Sequence, residues 1–198
     1  MNIGARTAAW AKSGGGGGKM VSCVYNLTSS DKRWFDLGIT PIEIDILEIC
    51  FLEGISKRYS FGSVSWDIPF DISFYLGDGT CGVNGMYGSF SGSISGVWMF
   101  DSVSKTIIKD SNSFKLSRIG DGNTLENQRI YLLRTFGDST IASSGVKFSY
   151  LKTYKNSLLS HHIVAWVDEN SIPCIKDLVN GKVIYSQGEG DLSFEDFV

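Results

Sequence analysis

The sequence predicts an all-β protein: a sandwich of two antiparallel sheets with an extended N-terminal peptide. Three observations carry that expectation. Glycine is abundant (23 residues) and proline scarce (three) in a chain of 198, which suits short strands joined by tight turns. Segments of apolar–polar alternation recur from residue 19 onward, and no long helical pattern interrupts them. Between them stand residues with hairpin chemistry: Gly77-Asp-Gly, Asn84-Gly, Gly120-Asp-Gly-Asn, Lys155-Asn-Ser and Asn180-Gly.

The chain opens on a segment, residues 1–13, that mixes apolar Ile3, Ala5, Ala8, Ala9 and Trp10 with the bases Arg6 and Lys12. Five glycines follow at 14–18, a composition that favours coil. Residues 1–18 therefore read as an anchor peptide with its linker, and 19–198 as the sandwich domain. Ile3, Arg6 and Trp10 are the expected contacts of that anchor with a partner.

Strands are expected at Cys23 to Leu27, Arg33 to Gly38, Ile42 to Phe51, Tyr59 to Val64, Ile72 to Leu76, Gly96 to Asp101 and Thr106 to Lys109. Further candidates are Ser113 to Ile119, Ile130 to Thr135, Val146 to Tyr154, Leu158 to Val167 and Lys182 to Ser186. The run from Ile42 to Phe51 alternates and then slips phase at Leu47, as a half-buried strand with a bulge does. The glycine- and serine-rich stretch 87–96 fits a weak edge strand or an exposed loop. About a dozen strands at this spacing imply two packed sheets. Trp34, Trp98 and Trp166 are expected in the core, and Trp66 at the surface.

Composition narrows function. Net charge is -3 with acids and bases mixed, so nucleic-acid binding has no electrostatic footprint. No apolar run approaches the roughly 18 residues of a membrane helix, and the N-terminus lacks a signal-peptide core. The four cysteines, Cys23, Cys50, Cys81 and Cys174, are far apart, and the two histidines, His161 and His162, are neighbours on opposite strand faces. A zinc site is not expected from that spacing, and the cysteines read as small buried hydrophobes.

The C-terminal third, from Val164 to Leu192, reads as strand, turn, strand, turn, strand. Its Asp168, Glu169, Pro173, Asp177, Leu178, Val179, Gly181, Lys182, Tyr185, Gly188 and Gly190 match in spacing a pattern that closes a family of β-sandwich domains. The chain thus resembles the laminin-G-like or concanavalin A-like lectin domains of phage and gut-bacterial proteins. The resemblance extends to Trp34-Phe-Asp-Leu-Gly-Ile-Thr-Pro and to the segments beginning at Ile130 and Val146, covering roughly residues 20–195 and loose between 55 and 125. The opening around Gly4-Ala-Arg-Thr-Ala-Ala-Trp resembles the start of virion-associated proteins of gut phages. What the resemblance implies is a non-enzymatic bacteriophage virion protein, a head or tail fibre or surface decoration. Its expected location is the virion. Its expected partners are other virion proteins (capsid, portal or tail, and fibre subunits), further copies of itself, and host-surface carbohydrate.

Three constellations offer chemistry. Glu43-Ile-Asp-Ile-Leu-Glu48 resembles the E-x-D-x-(x)-E run of jelly-roll glucanases. In that alternative Glu43 is the nucleophile, Asp45 the helper and Glu48 the acid/base, about 5 Å apart on one bulged strand. In the lectin-like reading the same run is an ordinary strand with Ile42, Ile44 and Ile46 inward. Asp78, Asp121 and Asn123 offer oxygens for calcium from glycine-flanked turns, but no loop collects the six or more that calcium takes; no other cofactor is expected. Trp66, Asp67 and Tyr87 are the candidates for stacking on a sugar ring and bonding its hydroxyls.

Overall fold

The computed structural model describes residues 17–28, 30–54, 59–65, 71–77, 79–118, 128–134 and 145–198. At residues 59, 60, 63–65 and 71–73 it describes backbone alone. The described chain is nearly all β, built as two antiparallel sheets, as the alternation predicts.

The larger sheet has eleven strands. Its spine runs in the order β11 (Asn112–Ser113), β10 (Thr106–Lys109), β9 (Gly96–Asp101), β4 (Ile46–Glu53), β14 (Lys147–Lys155), β15 (Leu158–Asp168), β16 (Pro173–Asp177) and β17 (Val183–Ile184). Three terminal strands complete it: β1 (Gly18–Met20) on β15, β2 (Cys23–Asn26) on β14, and β18 (Leu192–Glu195) on β2. The smaller sheet runs β12 (Ser117–Arg118), β8 (Met86–Ser89), β7 (Thr80–Val83), β6 (Asp71–Gly77), β5 (Tyr59–Ser65), β13 (Tyr131–Leu132) and β3 (Phe35–Asp36).

Alternation explains the core between them. On β4, Leu47, Ile49 and Phe51 face inward; on β15, Ile163, Ala165 and Val167 do so. Phe100 of β9 meets Phe61 and Phe74 of the smaller sheet at ring separations of 5.9 and 6.4 Å, which joins the two layers. Trp98 lies fully buried in the same layer, its indole N–H donating to the Ile94 carbonyl at 2.8 Å. A buried indole needs such an acceptor.

Several expected elements differ. The run from Ile42 to Phe51 is not one bulged strand. Pro41–Glu43 forms a 3-10 turn, Asp45 lies before the strand, and β4 begins at Ile46. The cause is local: Thr40-Pro-Ile-Glu43 closes on itself, with the Glu43 carboxylate accepting from the Thr40 N–H at 3.0 Å and its hydroxyl at 2.7 Å. This is the N-terminal signature in which a Thr is followed three residues later by a Glu. Ile42 is consequently 54% exposed, while Ile44 and Leu47 are buried. The register shifts of β4 against β14 fall at Lys147/Phe148 and Phe148/Tyr150, not at Leu47. Ser113 to Ile119 divides between the two sheets, Asn112–Ser113 pairing β10 and Ser117–Arg118 pairing β8. β7 and the closing strand β18 are not among the expected strands, and β8 takes up only the start of the stretch 87–96 read as a weak edge strand or a loop. Gly18, read as linker, already pairs with Asp168.

Candidate functional site

The outward face of the larger sheet is built where β14 and β15 meet. Their register sets Tyr150 beside Val164 and Lys152 beside His162, while Leu151 and Ile163 turn to the core. On the far side of β14, Lys152 pairs with Glu48 of β4, its ammonium 3.0 Å from the carboxylate. That ammonium also lies 4.8 Å from the centre of the Tyr150 ring. The Tyr150 and His162 rings meet edge-on at 6.4 Å. Burial pushes the Tyr150 hydroxyl up, and the Glu48 carboxylate adds to the rise. Burial pulls His162 down from 6.5, helped by the Lys152 charge, which disfavours its charged form.

Beside this cluster the face opens into an apolar groove of about 370 Å³, walled by Met20, Tyr150, Val164, Leu178, Val179 and Phe197. Val164 is buried within it, whereas Leu178, Val179 and Phe197 stay 39%, 50% and 60% exposed. Trp166, two residues along β15 from Val164 and so on the same face, is half-buried under the Lys176 ammonium at 4.3 Å. Trp34 is also half-buried, its ring tilted against Tyr131 at 4.3 Å and lying under Arg134. Of the three tryptophans expected in the core, only Trp98 is fully enclosed.

The residues of the closing pattern hold the fold together. Asp168 ends β15 and accepts from the Asn170 and Ile172 N–H groups, each at 2.9 Å, and from the Tyr185 hydroxyl at 3.0 Å. The Ile172 bond is the chief reason its carboxyl lies below the usual range. Asp177 is only 2% exposed. One of its oxygens accepts from the N–H groups of His162 and Val179, and the other lies 2.7 Å from His161 Nδ1. Gly188 and Gly190 have φ of +88° and +89° where the chain runs against residues 31–34. A Cβ at Gly188 would meet the Lys32 carbonyl, and one at Gly190 would lie 2.7 Å from the Asp31 Cα.

The acids of the glucanase-like run are not gathered on one strand. Glu43 is turned onto Thr40, whose hydroxyl and N–H depress its pKa. Asp45 is held by the Lys155 ammonium at 2.8 Å and the Asn156 N–H at 2.7 Å, which depress its pKa in turn. Glu48 alone stands on β4, paired with Lys152. Each carboxylate thus has its own partner. Tyr87 sits in β8 of the smaller sheet, opposite Ser117 and Gly82. Trp66, Asp67, Asp78, Asp121, Asn123, Ile3, Arg6 and Trp10 lie outside the described residues. Among the described residues no group of three His, Cys, Asp or Glu side chains is placed to hold a metal ion. The four cysteines are buried and unpaired.

Sequence reasoning missed Tyr150, His162, Trp166 and the Leu178–Phe197 rim. One signal was present: Leu158 to Val167 is apolar on both alternating faces, with Val164 and Trp166 as well as Ile163 and Ala165. A strand with one solvated face would carry polar residues there. The chain matches no family model, no curated protein and no solved structure.

Proposed function

We propose that this chain is a non-enzymatic structural protein of a bacteriophage virion. It serves as a head or tail fibre or surface decoration that displays the sandwich as a lectin-like module, and its N-terminal peptide attaches it to the particle. The phage setting rests on the resemblance of the closing segment and of the chain's opening. The observation that carries the binding-module reading is the outward face of the larger sheet, where Tyr150, His162, Trp166 and Lys176 stand beside an open groove. Aromatic faces flanked by hydrogen-bonding groups are what a sugar ring needs. The dispersal of Glu43, Asp45 and Glu48 to separate partners favours this reading over the glucanase alternative, whose chemistry needs two carboxylates facing one bond.

The groove itself is apolar, which favours a second reading in the same setting: a capsid or tail cement protein whose sheet face meets another protein. A particle-association assay tests the anchor, comparing the full chain with one lacking residues 1–16, which keeps β1 whole. The expected result is a folded domain that no longer incorporates. Equal incorporation moves the particle contact to the sandwich and favours cement. A screen of host-surface polysaccharides, with Trp166→Ala as the control, tests the display role; binding that survives that substitution places the sugar elsewhere.

A further inference from the structure

The groove over Val164 is bordered by side chains that a folded chain normally covers. Leu159, Leu178, Val179 and Phe197 rim it and stay 43%, 39%, 50% and 60% exposed. Apolar side chains left open side by side mark an interaction surface more often than single exposed ones do. A groove of about 370 Å³ suits a short peptide segment, whereas a stable interface between globular proteins takes roughly 800 Å² from each partner.

The chain carries such a segment next to the groove. Met20 forms part of the wall, and the described chain begins only three residues earlier, at Gly17. Sixteen residues of the sequence precede it, with Met1, Ile3, Ala5, Ala8, Ala9, Trp10 and Ala11 as their apolar members. β1 runs antiparallel to β15, so the chain leaves the groove toward Asp168 and must reverse to return. The sequence places a run of glycines, 14–17, between Trp10 and β1, and glycine imposes the least restriction on the direction a chain takes. Trp10 is seven residues from Gly17, a reach of about 25 Å at 3.3–3.6 Å per residue, against about 10 Å from Gly17 to Met20. A tether this short supplies an effective concentration in the millimolar range.

We propose that the groove walled by Met20, Tyr150, Val164, Leu178 and Phe197 is the docking site for this chain's own residues 3–10, with the Trp10 indole as the anchor. The segment that attaches the protein to a particle is sheltered there before assembly. Docking itself does not depend on the virion setting, because it is a property of the isolated chain. Loss of particle incorporation and loss of docking are therefore separate results.

The test uses the full chain and two variants, Trp10→Ala and Val179→Ser, the second at an exposed rim position where folding is preserved. Amide resonances of Val164, Leu178 and Phe197 are compared by NMR, with mass followed by light scattering. Trp10→Ala is expected to displace those resonances at unchanged monomer mass and to raise the fluorescence of an added apolar dye. Val179→Ser is expected to displace the Trp10 indole resonance. Adding a synthetic peptide of residues 1–13 to the Trp10→Ala protein is expected to return the groove resonances toward those of the full chain. Groove resonances unmoved by Trp10→Ala overturn the proposal. So does a doubled mass whose dilution alone moves them, which assigns the groove to a second copy.

Discussion

Replacing Asp177 by alanine should be among the most damaging single changes in the closing segment. Its carboxylate is buried at the end of β16, accepting two backbone N–H groups through one oxygen and facing His161 Nδ1 through the other. Alanine orphans all of them. A buried donor left without a partner costs about 1–3 kcal/mol, and alanine removes the acceptor of two backbone N–H groups at once. We take about 4 kcal/mol as the central figure, a large share of the 5–15 kcal/mol that holds a typical domain folded. For a chain of this length each kcal/mol moves the melting temperature by about 2–4 °C, so the expected fall is about 8–16 °C. Asp177→Asn separates the causes. The Asn side-chain oxygen can still accept from His162 and Val179, so its cost should be about 1–2 kcal/mol. Thermal unfolding followed by circular dichroism, with urea titration for the free energy, measures both variants. An alanine variant that melts within about 2 °C of the parent, or an asparagine variant as damaged as alanine, refutes the reasoning that backbone capture dominates.

Other expectations follow from the same geometry. Gly188→Ala should cost more than Gly181→Ala, although both glycines have positive φ, because Gly181 faces open space and Gly188 faces the Lys32 carbonyl. Urea unfolding should place the Gly181 change near 1–2 kcal/mol, the left-handed penalty alone (about one residue's worth), and the Gly188 change above it. Burial lifts the thiols of Cys50 and Cys174 to about 11 and that of Cys81 to about 12, so Ellman's reagent should leave the native protein untouched and titrate four thiols after unfolding. The folded-state pKa of Glu43 lies below its ordinary 4.5, and those of Asp45 and Asp168 below 3.8. Carboxyls depressed in the folded state contribute stability above their unfolded pKa and lose it as pH falls through the folded value. Stability should therefore be level from neutral pH down to about 5 and decline below roughly 4.5. Glu43→Gln should remove part of that decline, and an unchanged slope in denaturant titrations at pH 3 to 5 would exclude Glu43 as a contributor.

Much of the local structure is legible in the chain because its causes are local. The hairpin between β14 and β15 follows from alternation on either side of Asn156-Ser157, both at positive φ. The Thr40-to-Glu43 turn was also readable, since Thr-Pro-x-Glu is a start signal for a helical turn, but the isoleucine alternation that overlaps it favoured a strand. Asn84-Gly85 signalled a hairpin, yet the residues flanking it are glycine-rich, so their alternation is too weak to mark β7 and β8.

The sequence by itself determined the class of this protein, because a side-chain period of two and the turn-forming residues are encoded within a few positions of one another. It also determined that Leu158 to Val167 carries apolar residues on both faces. Only the tertiary structure decided which of those faces became core and which became the groove, since that depends on which layer covers the strand. It likewise decided that Glu48 meets Lys152, 104 residues away, and that Leu192–Glu195 pairs with Cys23–Asn26. Such pairings bring together residues far apart in the chain, and strand order in an antiparallel sheet leaves no mark on either strand alone.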